Sequence, residues 1–230
     1  MAFSINPGVW PVMITPWTED NKPDFKAIKQ LCDWYVAKGC TGIFVVCQSS
    51  EMAYLTEQEK LEIARATAEA VDGRIQVVAS GHTADDKATQ FREIENMMKI
   101  PGIGAYVLVS NRLDQKNEGE AVFEANAQEI FDRYPEIDFG IYECPMPWKR
   151  LVSTEFLRKA GQQGRMVFLK DTCCDYELVR ERQAAVEGTP LKIFNANAQS
   201  WFDSVCHGAA GYSGVMANFH PDLYKWCFDH

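Results

Sequence analysis

Eight strand-length apolar runs alternate with segments of helical periodicity along the whole chain, and this alternation limits the possible folds more than any other feature. The runs fall at 9–15, 42–46, 75–80, 105–110, 139–144, 166–171, 192–195 and 211–216. Several are apolar without a break, which is how a strand covered on both faces reads. Between the first two, Phe25, Ile28, Leu31, Cys32 and Tyr35 recur at helical spacing, and Gly39 stops the helix. Thr56 and Glu59 form a capping box ahead of the next helix, and Asp72-Gly73 ends it. Later helices are predicted at 83–98, 120–133, 153–161, 176–186 and 199–207, with a last one beginning at Pro221. Such repetition specifies a parallel α/β architecture. Eight units in 230 residues suit a single (β/α)8 TIM barrel domain over 1–230, a fold of typically about 250 residues. An open doubly wound sheet usually carries a Gly-rich first turn for a nucleotide. The first turn here, Thr15-Pro16-Trp17, has none.

Composition narrows the function. The net charge is −9 and the pI about 5.0, and no run of basic residues occurs, which excludes nucleic acid as an expected partner. The apolar runs are too short to span a membrane. Residues 1–7 lack the basic segment and apolar core of a signal peptide. The eight cysteines are scattered with no CxxC. Cys40, Cys47, Cys144 and Cys206 sit in apolar runs and read as small buried hydrophobes, so a reduced, cytoplasmic protein is expected. His82, His207, His220 and His230 show no ligand spacing, which argues against a metal site.

The sixth run carries the chemistry. Four apolar residues, Met166-Val167-Phe168-Leu169, lead directly into Lys170. From an ordinary pKa of about 10.4, about one lysine in 2500 is neutral at pH 7. Burial lowers that pKa, and a neutral amine can form a Schiff base with a carbonyl substrate. The plainer alternative is a lysine that snorkels from a strand end to solvent. In a barrel the site lies at the C-terminal ends of the strands. Those ends present Thr15, Gln48-Ser49-Ser50-Glu51, His82, Arg112, Tyr142, Lys170, Asn195, Asn197 and Tyr212-Ser213. Tyr142 and Lys170 end neighbouring strands, and a phenol beside an amine can carry protons. The hydroxyls of Ser49 and Ser50, ahead of a helix, suit a carboxylate. Gln48, Asn195, Tyr212 and Ser213 complete the candidate substrate-binding set. Asp171 is expected to ion-pair or to bond backbone, Cys173-Cys174 to be structural, and His82 to be a satisfied strand-end histidine.

These residues stand in a recognisable order. Gly8–Trp17, Cys47-Gln48-Ser49-Ser50-Glu51, Tyr142-Glu143-Cys144-Pro145, Leu169-Lys170-Asp171-Thr172 and 208–218 follow one another as five motifs. In them the whole chain resembles the dihydrodipicolinate synthase / N-acetylneuraminate lyase superfamily of class I aldolases. The resemblance implies a (β/α)8 barrel, a homotetramer built from dimers, and no metal or dissociable cofactor. It implies Lys170 as the Schiff-base lysine toward pyruvate or another 2-oxo acid. Tyr142 becomes the proton-handling phenol, and the 48–50 loop the binder of the keto acid's carboxylate. The chain departs from the family at several places. Gln48 and Ser49 replace two loop threonines, and Arg112-Leu113 replace two adjacent tyrosines. The resemblance places an arginine for the carboxylate of aspartate semialdehyde five residues after the tyrosine, where Pro147 stands; Arg150 lies three residues further on. The family also continues past position 230. The barrel is therefore expected to lack the end of its eighth helix and a C-terminal helical extension, leaving apolar surface on the first and eighth helices. The leading expectation is a lyase joining or cleaving a 2-oxo acid and an aldehyde other than the semialdehyde. Its competitors are a dihydrodipicolinate synthase proper, a 2-oxo-acid-binding regulatory barrel without turnover, and a phosphosugar isomerase. The last is weakened by Asn195-Ala196-Asn197 where a Gly-rich phosphate loop would stand.

Overall fold

The computed structural model describes residues 3–230; Met1 and Ala2, which open the segment read above as no signal peptide, lie outside the described residues. The strands are β1 (Gly8–Val9), β2 (Gly42–Val45), β3 (Gln76–Ala79), β4 (Ile103–Val109), β5 (Phe139–Tyr142), β6 (Met166–Asp171), β7 (Lys192–Asn195) and β8 (Gly211–Tyr212). The helices are α1 (Phe25–Ala37), α2 (Glu57–Val71), α3 (Lys87–Met98), α4 (Glu120–Arg133), α5 (Thr154–Gln162), α6 (Tyr176–Ala185), α7 (Trp201–Cys206) and α8 (Pro221–Asp229). All strand pairs are parallel, in the order β1-β8-β7-β6-β5-β4-β3-β2. A bridge between Val12 and Phe44 joins the two ends and makes the sheet a (β/α)8 barrel.

Several boundaries differ from expectation for local causes; α3 starts at Lys87 rather than 83, because Asp86 caps it by accepting from the Thr89 N–H at 2.9 Å. The first run pairs as a regular strand only over Gly8–Val9, because Pro11 has no N–H to extend the ladder. Its carbonyl still accepts from the Phe44 N–H at 2.9 Å, so the segment remains a barrel stave. β5 stops at Tyr142 rather than 144, where the Cys144 N–H turns back to the Tyr142 carbonyl at 2.9 Å. β8 stops at Tyr212 rather than 216, and Val215–Asn218 forms a 3₁₀ turn. α7 starts at Trp201 rather than 199, since the N–H groups of Gln199 and Ser200 bond the Asn197 side chain at 2.8 and 3.2 Å. Where side chains close helix starts, they do so as the pattern predicts: Thr56 and Glu59 make the reciprocal capping box of α2.

The barrel interior is filled by an aromatic layer. Trp10, Phe44, Phe168 and Phe194 are all fully buried, with ring centroids 4.9–5.8 Å apart for the contacting pairs. Gly42 makes room for it. A Cβ built there would lie 2.5 Å from the Trp10 ring. Gly42→Ala is therefore expected to lower stability by about 1–3 kcal/mol through overpacking. Urea denaturation checks this; an unchanged midpoint would show that the indole can shift without loss.

Among the described residues, all eight cysteines are free. Cys40, Cys47 and Cys144 are buried as expected, whereas Cys206 is exposed, because it ends a short helix whose buried positions are Trp201 and Ser204. α8 exposes Leu223 and Trp226, and α1 exposes Phe25. Among the described residues no helix is long and apolar enough to cross a membrane, and no group of three or more His, Cys, Asp or Glu side chains could hold a metal ion.

Candidate active site

Alternation along a strand sends consecutive side chains to opposite faces. On β6 the ring of Phe168 enters the aromatic layer, so Lys170, two residues on, also faces the barrel interior. Lys170 is only 4% exposed, and its Nζ lies 4.0 Å from the centre of the Tyr142 ring and 5.9 Å from that of Phe44. Among the described residues the Nζ has no hydrogen-bond or ion-pair partner. Burial holds the amine below its ordinary pKa of 10.5, with the neighbouring Cys47 and Cys144 thiols acting the other way.

Tyr142 pairs directly with Lys170 in the β5–β6 register. Its hydroxyl donates to Gln48 Oε1 at 3.1 Å, and the Cys144 thiol donates to the same oxygen at 3.3 Å. Burial raises the Tyr142 pKa above its ordinary value, so the phenol keeps its proton. With its oxygen doubly engaged, Gln48 keeps only its NH2 group to offer as a donor. Gln48 stands in a 3₁₀ turn, Gln48–Ser50, reached through a sharp bend. Val46 ahead of it has φ 52°, and Glu51 behind it has φ 62°. A β-branched residue in the left-handed region is strained, typically by about 1–3 kcal/mol. The strained bend carries Gln48 and Ser49 over the barrel mouth.

A cavity of about 720 Å³ opens at this mouth, with Lys170, Tyr142, Gln48, Ser49 and Asn197 in its wall. Of the further wall residues, Lys149 and Gln199 escaped the sequence reading, Thr172 entered it only as part of the lysine motif, and Cys174, expected to be structural, is exposed. Among the described residues no carboxylate side chain lines the cavity, although the chain carries a net charge of −9. Lys149 donates to the Thr172 carbonyl at 2.8 Å from the cavity rim. Arg150 turns away: it faces Asp114 and Glu120 at 3.2 and 2.9 Å and lies over the Phe123 ring. Lys149 follows the Pro145-Met146-Pro147 segment after β5, where side-chain direction is not periodic and leaves no sequence signal.

Four of the expected binding residues do not reach the cavity wall. The Ser50 hydroxyl is fully buried, donating to the Met13 carbonyl at 2.6 Å and accepting from the Cys47 N–H at 3.1 Å, so it staples the bend instead. Asn195 donates to Ser200 and Ser204 at 3.1 and 3.2 Å and accepts from the Asn197 N–H at 2.8 Å, which orders the loop after β7. Tyr212 stacks on Tyr224, centroids 4.0 Å apart, and Ser213 is fully buried. Of the other strand-end residues, Thr15 donates to the Ser50 carbonyl at 2.8 Å, and Arg112 pairs with Asp85 at the surface. His82 accepts from the Val109 N–H at 3.0 Å, and burial brings its pKa down to about 4; it is neutral, and its Nε2 lacks a partner among the described residues. Asp171 is ion-paired with Arg182 and accepts from the Cys173 N–H at 2.9 Å.

Known proteins share both the sequence pattern and the barrel. The model of the dihydrodipicolinate synthetase family matches residues 6–230. A 4-hydroxy-tetrahydrodipicolinate synthase of Streptomyces coelicolor is 26% identical over 217 residues, covering 94% of this chain and 68% of that protein. The dihydrodipicolinate synthase of Acinetobacter baumannii, solved with pyruvate, superposes with a TM-score of 0.86 at 18% identity, over 97% of this chain and 74% of that one. A catalytic-lysine mutant of the Ruminococcus gnavus sialic acid aldolase superposes with a TM-score of 0.84 at 17% identity, over 97% and 72%.

Proposed function

The chain belongs to the dihydrodipicolinate synthetase family, and from that premise we propose that it is a lyase that holds pyruvate or a related 2-oxo acid as a Schiff base on Lys170. The observation that carries the reading is a buried amine that has no ion-pair partner among the described residues, set against a protonated phenol at the floor of a cavity that no described carboxylate lines. The neutral Nζ attacks the C2 carbonyl, and the tetrahedral carbinolamine loses water to give an iminium. Tyr142 supplies the proton that lets hydroxide leave as water and then removes one. Loss of a C3 proton gives an enamine, which adds to an aldehyde; the reverse sequence cleaves the same bond. The Gln48 NH2, the Ser49 hydroxyl and Lys149 are the cavity donors suited to the substrate's anionic oxygens. The pyruvate complex of the Acinetobacter protein and the catalytic lysine of the Ruminococcus aldolase support the reading.

The aldehyde partner differs, on this reading, from aspartate semialdehyde. Pro147 offers no donor, and Arg150 is held by Asp114 and Glu120. Lys149 is a point charge rather than a planar fork, so it selects anions with less geometric discrimination. Borohydride reduction in the presence of pyruvate is expected to fix the substrate's mass on the peptide containing Lys170. Labelling elsewhere with Lys170 untouched would sink the assignment. Supplying sugar-acid-derived 2-oxo acids and following aldehyde release then separates a lyase from a barrel that only binds.

A further inference from the structure

The alternation that turns Tyr142 and Lys170 into the barrel turns their successors, Glu143 and Asp171, outward toward the helices. Both carboxylates are fully buried there. A single guanidinium, Arg182 from α6, reaches both and is itself fully buried. Its Nη2 donates to Glu143 Oε1 at 2.7 Å and to the Val152 carbonyl at 2.5 Å, while Nη1 donates to Asp171 Oδ2. Glu143 spreads the tie further. Its carboxylate accepts from the N–H groups of Val152 and Thr172, each at 2.8 Å, and the Thr172 hydroxyl donates to its carbonyl at 2.7 Å. Arg182 thus joins the ends of β5 and β6 to the close of the loop that carries Lys149.

The strand ladder pairs Tyr142 with Lys170 but is irregular on either side of that stretch. The β5–β6 register already shifts between Phe139 and Gly140, and the last backbone bond, from the Glu143 N–H to the Lys170 carbonyl, is stretched to 3.4 Å. Apolar side chains of similar volume would often stabilise such a site as well or better, since burying charges is costly. What an ion cluster adds is direction: a planar fork holds two carboxylates at fixed angles. We propose that Arg182 is a positioning residue, which sets the register of Tyr142 against Lys170 from outside the barrel wall. The inference rests on the Schiff-base reading for its catalytic meaning, but its geometric content does not.

The test has one readout that needs no substrate. With the Nζ of Lys170 4.0 Å from the centre of the Tyr142 ring, the adjacent ε-methylene protons are displaced upfield by the ring current. In protein labelled with ¹³C-lysine, and with the signal assigned through Lys170→Arg, Arg182→Lys keeps the charge and loses the fork. It is expected to move that signal toward the position of exposed lysines while circular dichroism shows the barrel folded. The rate of pyruvate trapping at Lys170 is expected to fall by about a hundredfold, the penalty of a misplacement of ~1 Å. Glu143→Gln, which gives up the bond to the Thr172 N–H, carries the same test if Arg182→Lys does not fold. A folded variant with the Lys170 signal and trapping rate unchanged overturns the proposal. If the unaltered protein traps no pyruvate, the Schiff-base reading fails, and the displaced methylene signal still decides the role of Arg182.

Discussion

Lys170→Met is expected to abolish borohydride trapping of pyruvate and, at neutral pH, to make the protein more stable. Both effects have one cause. Among the described residues the buried amine has no ion-pair partner, and it lies over an aromatic ring that compensates it by about 2 kcal/mol. Its pKa in the folded protein lies below the ordinary 10.5 that the unfolded chain retains. Between those two values the unfolded chain binds the extra proton, so stability rises with pH across the window. Below the folded pKa both states are protonated, and the full penalty of burying the ammonium remains. Above about 10.5 both are neutral, and the penalty is gone. Methionine fills similar space and carries no charge. Urea denaturation of both proteins should therefore show the variant's advantage at pH 7 shrinking as the pH approaches 10.5. The trapping rate of the unaltered protein should rise with pH over the same window, as the neutral amine accumulates. A variant that still traps, or that is less stable at pH 7, would remove Lys170 from the role assigned to it.

Tyr142→Phe is expected to leave the fold intact and to slow enamine formation by about 10²–10⁴-fold, the range for loss of an acid–base group. The aromatic ring stays beneath Lys170 and against Phe44, so packing is kept. Gln48 Oε1 loses one donor and keeps the Cys144 thiol. Exchange of the pyruvate methyl protons in heavy water, followed by proton NMR, reports enamine formation without knowledge of the aldehyde. An exchange rate equal to that of the unaltered protein would reduce Tyr142 to a core side chain.

The barrel and the lysine–tyrosine pair were legible because each leaves a one-dimensional trace. Strand and helix periods repeat, and a lysine closing an unbroken apolar run breaks the rule that buried charges are paired. Direction at the strand ends was not legible. Ser213 and Ser50 lie just past a short strand or inside a strained bend, where alternation loses its phase, and both hydroxyls turn away from the cavity wall. Arg182 sits in the charged run Arg-Glu-Arg-Gln of its helix, which reads as a solvated face. Only the tertiary fold shows that one of those arginines is inside. Lys149 and Arg150 are adjacent in an irregular loop, and no pattern tells which reaches the cavity.

The amide at position 48 has a consequence for the traffic of protons. A hydroxyl beside the phenol could take its proton and hand another onward, making a wire to solvent. The Gln48 oxygen can only accept, and it already holds the hydrogens of Tyr142 and Cys144. On the mechanism proposed above, a proton lifted by Tyr142 in one half of the cycle has no exit through this residue and is returned by the same phenol in the other half. Chemistry run on such a dead-end carrier has to be self-balancing, the substrates giving back each proton that they surrender. Joining or splitting a carbon–carbon bond between a 2-oxo acid and an aldehyde meets that condition, since the hydrogen removed from one carbon reappears on the new alcohol.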